Sequence, residues 1–221
     1  MIKLYFFLFL SLMSETYMHQ NPKKVLFFGD SITEAGVNPK GYISVLNDML
    51  LKNGQSHNYE LIGSGIGGNK VYDLFFRMER DVLAKKPDIV VIWIGVNDVW
   101  HKSSHGTGTD ADKFGLMYSD IIHRLQNAGI KVFCCTPACI GEKTDHSNQQ
   151  DGDLNEYSKI IRKSASSKGA GIIDIRQRFL DYNTKNNKAN KSSGILTTDG
   201  VHLNEMGNQL VAEWMSEQIL Q

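Results

Sequence analysis

Two hydrophobic periods alternate along the chain from residue 24 onward. Short continuous apolar runs predict five buried strands, at 25–28, 59–62, 89–94, 131–134 and 172–175. Apolar residues spaced by three and four predict five helices, around 42–50, 71–82, 114–125, 154–161 and 210–219. Such alternation is typical of an α/β protein. We therefore expect a three-layer α/β/α sandwich around a five-stranded, mainly parallel, flavodoxin-like sheet.

The first residues differ from the rest of the chain in composition. Lys3 is followed by an apolar run over 4–13, which ends at Ser14 and Glu15. This run is too short to span a bilayer, which needs about 20 apolar residues, but it is typical of a signal-peptide core. We therefore predict a signal peptide and short leader over 1–22, and export to the periplasm or the medium. The alternative is a buried amino-terminal helix, which would leave the protein in the cytoplasm.

The overall composition indicates one globular domain, over 23–221. The chain has 221 residues, of which 41% are hydrophobic, with 24 basic and 24 acidic side chains. A net charge of zero argues against a nucleic-acid partner bound through its phosphates, and we expect no stable membrane span. The oligomeric state stays open. Three cysteines are too few for a disulfide scaffold, and the sequence leaves open whether any two of them pair: Cys134, Cys135 and Cys139.

Two groups of polar residues raise the question of a metal. His101 and His105 form one group, and Asp145 and His146 form the other. Neither group has a defined fourth ligand, so we interpret these residues as solvated or as substrate contacts, in polar loops. We expect no metal and no cofactor. The polar stretch 183–191 is interpreted as a solvated loop.

Polar and glycine-rich segments follow the predicted strands. They lie at 29–33, 63–69 and 95–98, and a fourth segment, 199–204, precedes the last predicted helix. Ligands of parallel α/β sheets bind beyond the carboxyl ends of the strands. We therefore expect a serine hydroxyl, a glycine-rich turn, a side-chain amide and an Asp/His pair to meet at one edge of the sheet.

These segments resemble the sequence blocks of the SGNH hydrolases, the GDSL-type esterase and lipase family. The similarity covers nearly all of 23–221 and keeps the family's order. The matching positions are Gly29-Asp30-Ser31-Ile32 for the nucleophile block, Gly68 for the glycine block, Gly95-x-Asn97-Asp98 for the asparagine block and Asp199-x-x-His202 for the last block.

The resemblance implies a serine ester hydrolase that works through an acyl-enzyme intermediate. Ser31 would attack the ester carbonyl, and His202 would accept its proton. Asp199 would hold the imidazole of His202 in one tautomer. A short acyl ester, an O-acetylated sugar and a lysolipid all remain open as the substrate, so the expected partner is a small-molecule or carbohydrate ester.

The resemblance also implies an oxyanion hole with three donors. These are the backbone N–H groups of Ser31 and Gly68 and the side-chain amide of Asn97. Asp30 and Asp98 would support the site. Each of these residues alone has a simpler interpretation as a helix cap or turn residue, and only their combination in this order favours catalysis.

Two other functions remain as alternatives. One is a catalytically silent SGNH-like protein that binds a carbohydrate or a lipid. The other is a nucleotide-binding α/β protein, because Gly63-x-Gly65-x-x-Gly68 fits the dinucleotide fingerprint. That fingerprint normally has an acidic residue at the end of the next strand, where this chain has Ile94 and Gly95.

Overall fold

The computed structural model describes residues 21–220, so all but the last two residues of the predicted leader lie outside the described part of the chain. Five parallel strands form one sheet in the order β2-β1-β3-β4-β5, which is the flavodoxin-like order. The predicted fold class is thereby confirmed. The strands are β1 (Lys23–Gly29), β2 (Tyr59–Gly65), β3 (Ile89–Trp93), β4 (Lys131–Cys135) and β5 (Gly171–Ile173).

Helices cover both faces of the sheet. On one face α2 packs against α8, and on the other α5 packs against α3 and α6. β3 is buried along its whole length, which explains why its sequence is a continuous apolar run. The helices are α1 (Ser31–Gly36), α2 (Tyr42–Lys52), α3 (Val71–Asp81), α4 (Val96–Ser104), α5 (Ala111–Asn127), α6 (Asp151–Lys168), α7 (Ile175–Asn186) and α8 (Glu205–Ile219), with two 3-10 turns at Ser56–Asn58 and Leu83–Lys85.

The structure corrects the sequence prediction around β5. The strand ends at Ile173, and Asp174 caps α7 by accepting a hydrogen bond from the Gln177 N–H at 3.3 Å. The last turn of α7 takes up the first part of the stretch 183–191, which the sequence predicted to be a solvated loop. Beyond it, the buried amide of Asn187 donates to two backbone carbonyls. The polar side chain of Asn187 can be buried here because backbone carbonyls accept hydrogen bonds from its amide group.

A second correction concerns the segment after β3. His101 lies in α4, not in a polar loop, and His105 directly follows that helix. Among residues 21–220 no cluster of three or more His, Cys, Asp or Glu side chains is arranged to hold a metal ion. The same range contains no helix both long and apolar enough to cross a bilayer. The three cysteines are buried and carry free thiols.

The register of the sheet brings three strand ends to one level. Gly29, at the end of β1, is paired with Gly65 of β2 and with Trp93 of β3. A β-carbon on Gly65 would collide with the backbone of α1 at Thr33 and Glu34. The absence of a side chain therefore allows α1 to cross closely over the end of β2.

We predict that Gly65→Ala destabilises the fold, because the added methyl group meets backbone atoms that cannot rotate away. Overpacking of this kind costs about 1–3 kcal/mol of the free energy of unfolding. Gly152→Ala is the matched control. Gly152 lies in the first turn of α6 with open space around its β-carbon position, so alanine should stabilise the helix by up to about 1 kcal/mol. Urea unfolding of both variants measures this, and equal stability of the two would contradict the close approach.

Candidate active site

The first part of the site is the turn from β1 into α1. The carboxylate of Asp30 caps α1 by accepting a hydrogen bond from the Ile32 N–H at 3.0 Å. Ser31 is the first residue of the helix, where a backbone N–H has no partner within the helix. The side chain of Ser31 is partly exposed. This turn therefore presents a hydroxyl and a free backbone donor at the edge of the sheet.

His202 and Asp199 approach Ser31 from the other end of the chain. The Oγ of Ser31 lies 2.9 Å from Nε2 of His202, and Nδ1 of His202 lies 2.7 Å from Oδ2 of Asp199. The second carboxylate oxygen of Asp199 accepts the backbone N–H groups of Val201 and His202, at 2.9 and 2.8 Å. One carboxylate thus fixes both the imidazole ring and the backbone that carries it.

The electrostatics of Asp199 suit this contact. Partial burial acts to raise the pKa of Asp199, but the hydrogen bonds from the His202 ring and from the backbone N–H groups of His202 and Val201 hold that pKa below its ordinary value. The carboxylate is therefore ionised throughout the neutral range. An ionised carboxylate at this position would stabilise a positive charge on the His202 ring.

The segment after β4 supports the loop that carries His202. The carbonyl of Gly200 accepts hydrogen bonds from the Gly141 N–H, at 2.8 Å, and from the Cys139 thiol, at 3.3 Å. The buried carboxylate of Glu142 accepts the N–H groups of Ile195 and Leu196, at 2.9 and 2.7 Å. Glu142 could not be identified from the sequence, because a single glutamate in a loop has no pattern that indicates a buried role.

The glycine-rich turn after β2 borders Ser31. The Asn69 N–H donates to the Ile66 carbonyl at 3.2 Å, and Gly68 takes a φ of 74° at the third position of the turn. This backbone conformation strongly favours glycine. A β-carbon on Gly67 would lie 3.9 Å from the β-carbon of Ser31. The turn therefore passes the serine without placing a side chain between them.

Asn97 joins the same turn from α4. Its buried side-chain amide donates one hydrogen bond to the Asn69 carbonyl, at 3.2 Å. An amide nitrogen has two N–H groups, so a second donor remains on this side chain. All the residues that the sequence predicted for the site thus lie at the carboxyl edge of β1, β2 and β3 or on the loop that meets it.

Asp30 and Asp98 are buried beneath the site, and both have raised pKa values. Burial raises the pKa of Asp30 to about 7. The negative charge of Asp98 also acts to raise this pKa, whereas the hydrogen bond from the Ile32 N–H acts to lower it. Burial likewise raises the pKa of Asp98 to about 6, although hydrogen bonding acts in the opposite direction. Asp98 accepts the Val71 N–H at 3.1 and 3.2 Å and so orients the start of α3.

Arg77 is a buried residue that the sequence analysis missed. Its guanidinium donates to the carbonyls of Gly29 and Ser64, at 2.8 and 3.0 Å, and to the side-chain oxygen of Asn69, at 2.7 Å. It also lies over the ring of Phe28, 4.4 Å from the ring centroid. The available signal was its position three residues after Leu74 on the apolar face of α3, where a charged residue needs buried partners.

Residues 27–210 match the GDSL-like Lipase/Acylhydrolase family. The chain belongs to this family. An acetylxylan esterase of Geobacillus stearothermophilus is 27% identical over 213 residues, covering 86% of this chain and 90% of that protein. The crystal structure of an acetyl xylan esterase, AlAXEase, has a TM-score of 0.88 at 60% identity, covering 89% of this chain and 99% of that chain. The isoamyl acetate-hydrolyzing esterase 1 homolog of Rattus norvegicus is 24% identical, covering 85% of this chain and 78% of that protein.

These comparisons confirm two predictions made from the sequence. The SGNH or GDSL-type assignment is correct, and this GDSL-like acylhydrolase is a carboxylic ester hydrolase. The fingerprint Gly63-x-Gly65-x-x-Gly68 belongs to the end of β2 and to the turn that borders Ser31.

We predict that Asp30→Asn raises the melting temperature at pH 8 and that this gain shrinks as the pH falls. A pKa raised in the folded state means that the ionised carboxylate destabilises the fold. The penalty is absent near the ordinary value of 3.8, grows as the pH rises, and is complete above about 7. Asparagine keeps an oxygen to cap α1.

Thermal unfolding between about pH 4 and 8 measures this effect. Asp48→Asn, on the exposed surface of α2, is the control and should show no such trend. A gain for Asp30→Asn that is independent of pH, or a loss at pH 8, would contradict the raised pKa of Asp30.

Proposed function

We propose that this protein removes acetyl groups from an O-acetylated carbohydrate, by way of an acyl-enzyme on Ser31. The observation that carries the proposal is the chain of hydrogen bonds from Ser31 through His202 to Asp199, with distances of 2.9 and 2.7 Å. A serine hydroxyl is a weak nucleophile at neutral pH and needs a base within hydrogen-bond reach.

In the first half of the reaction, the Oγ of Ser31 forms a bond to the ester carbonyl carbon while Nε2 of His202 takes the hydroxyl proton. The carbonyl electrons move onto the oxygen and give a tetrahedral intermediate. When that intermediate collapses, the bond to the sugar oxygen breaks and His202 donates its proton to the departing hydroxyl group. Asp199 stays ionised and stabilises the imidazolium.

The negative oxygen of the intermediate is stabilised by three donors in this proposal. They are the backbone N–H groups of Ser31 and Gly68 and the side-chain amide of Asn97. A single donor of this kind is worth about 3–4 kcal/mol of transition-state stabilisation. The glycine turn supports the assignment, because a β-carbon on Gly67 would lie 3.9 Å from the β-carbon of Ser31, and Gly68 follows it in the left-handed conformation, with a φ of 74°.

In the second half, water takes the place of the sugar. His202 accepts a proton from the water as its oxygen attacks the acyl carbon, and the same three donors stabilise the second tetrahedral intermediate. Collapse breaks the bond to Ser31, and His202 returns its proton to the serine oxygen. The acetic acid formed loses its remaining proton to the solvent and leaves as acetate, and the starting state is restored.

The surroundings of the turn favour a carbohydrate over a long acyl chain. A β-carbon on Gly67 would lie 3.0 Å from the carboxylate of Glu34, and one on Gly68 would lie 3.8 Å from the ring of His101. The His101 ring packs against His105 with 4.4 Å between centroids. A carboxylate and flat rings suit the hydroxyl groups and C–H faces of a sugar. The two related acetylxylan esterases support an acetyl group as the acyl part.

The apolar run at 4–13, which follows Lys3, supports export of the protein. A run of this length behind a basic residue is typical of a signal-peptide core. We therefore propose that 1–22 directs the protein across the membrane and that 23–221 is the hydrolase domain.

We predict that Ser31→Ala lowers kcat for an aryl acetate by at least about 10⁴-fold, because no other group forms the acyl-enzyme. Asn97→Ala should lower kcat by about 10²–10³-fold, since it removes one donor to the negative oxygen. Steady-state kinetics measure both. Ser56→Ala, in a 3-10 turn at the opposite end of β2, is the control and should behave as the wild type.

A fluorophosphonate probe distinguishes hydrolysis from silent binding. The wild type should be labelled at Ser31, as located by mass spectrometry, and Ser31→Ala should not be labelled. Folded wild-type protein that resists labelling would favour the silent carbohydrate- or lipid-binding alternative.

We also predict a preference for short acyl groups on sugar alcohols. In a series of aryl esters, kcat/KM should fall by about 10-fold or more from acetyl to butyryl, because each extra methylene must fit a small acyl site. Acetylated xylo-oligosaccharides should be deacetylated, with acetate release measured by an enzyme-coupled assay. Faster turnover of octanoyl esters or of a lysophospholipid would contradict the carbohydrate substrate.

A further inference from the structure

Lys70 is a buried cation beside the glycine turn. Only 9% of its side chain is exposed, and it lies at the N-cap of α3. Its ammonium donates to the Gly68 carbonyl at 2.7 Å, while the carboxylate of Asp73 is 4.0 Å away. That carboxylate instead accepts the backbone N–H of Lys70, at 2.9 Å. The main partner of this ammonium is therefore a neutral carbonyl group.

This position is unfavourable for a lysine on grounds of stability alone. Burying an ammonium whose ion pair, with Asp73, is as long as 4.0 Å costs free energy. The amino terminus of a helix carries a partial positive charge, so a cation there is repelled. Serine, threonine, aspartate and asparagine are the preferred N-caps. Three general effects thus act against Lys70, which indicates that it contributes to something other than the folding of α3.

The contact to Gly68 identifies that contribution. Gly68 supplies one of the proposed oxyanion donors, and its φ of 74° depends on how the turn is held. Three side chains hold the turn from different sides. Lys70 donates to the Gly68 carbonyl, Asn97 donates to the Asn69 carbonyl at 3.2 Å, and Arg77 donates to the Asn69 side chain at 2.7 Å.

The charge of Lys70 also reaches the surrounding groups. It contributes to lowering the pKa of His101, where burial is the larger cause. It also opposes the effect of burial on the pKa of Asp98. These two side chains lie on α4, the helix that carries Asn97. A positive charge that favours negative groups there also favours a negative oxygen bound at the turn.

We propose that Lys70 is a positioning residue of the oxyanion hole: its ammonium holds the Gly68 carbonyl, and its buried charge stabilises the negative oxygen of the transition state. The inference rests on the proposed function, since it requires a tetrahedral intermediate on Ser31. It assigns to Lys70 an effect on kcat rather than on the binding of the ester.

Three substitutions separate the two parts of this role. Lys70→Arg keeps a donor and the charge, Lys70→Gln keeps a donor only, and Lys70→Met keeps neither. We expect kcat for an aryl acetate to fall by about 10–100-fold in Lys70→Met, with KM changed less than about 3-fold. Lys70→Gln should be intermediate, and Lys70→Arg should recover most of the activity. Lys159→Met, on the exposed surface of α6, is the control.

A tetrahedral analogue provides a readout that a purely structural role would not move. An aryl boronic acid forms a bond to the Ser31 oxygen and places a negative tetrahedral centre at the turn. Its inhibition constant should rise across the three variants in proportion to the fall in kcat. Thermal unfolding of each variant gives the folded fraction. If Lys70→Met does not fold, the comparison of Lys70→Gln with Lys70→Arg provides the test.

Two results would overturn the role of Lys70. One is wild-type kcat and boronic acid affinity in folded Lys70→Met or Lys70→Gln. The other is an equal loss in Lys70→Arg and Lys70→Gln that follows the folded fraction. Fluorophosphonate labelling separates this failure from that of the proposed function. If the wild type is labelled but the Lys70 variants keep wild-type kcat and boronic acid affinity, only the role of Lys70 is overturned. If the wild type is not labelled, the proposed acyl-enzyme on Ser31 is overturned.

Discussion

The hydrogen-bond register of the parallel sheet is the constraint on which the site depends. Because Gly29 is paired with both Gly65 and Trp93, the chain leaves β1, β2 and β3 at the same height. The serine, the glycine turn and the asparagine follow those strands within a few residues. Their proximity is therefore a consequence of backbone pairing. The side chains beneath them, above all Arg77 and Asp98, then fix the orientation of each segment.

The other half of the site does not come from the sheet in this way. The loop with Asp199 and His202 is held by the segment after β4, through Gly141, Cys139 and Glu142. His202 is thus held beside Ser31 through loop-to-loop hydrogen bonds. A short loop with its own internal carboxylate contact can hold an imidazole firmly without belonging to a strand or a long helix.

The sequence predicted the sheet, its strand order and the main helices because buried parallel strands and amphipathic helices differ in hydrophobic period. The structure brings the residues that the sequence singled out together, since strand ends converge in this fold. The sequence missed Lys70, Arg77 and Glu142, because the role of a buried charge depends on partners that are remote in sequence or belong to the backbone. It missed α7 because the polar residues at the end of that helix, including the buried Asn183, obscure the helical period.

The separation of Ser31 from His202 by 171 positions has a consequence for biosynthesis. A ribosome adds Ser31, the glycine turn and Asn97 early, and it adds His202 much later. The closing helix α8 follows His202 and contacts the start of α2, where Asn208 accepts the Tyr42 N–H at 2.9 Å. A nascent or truncated polypeptide that ends before this region has no His202 imidazole beside Ser31. The contact between Ser31 and His202 can therefore form only after synthesis has passed residue 202.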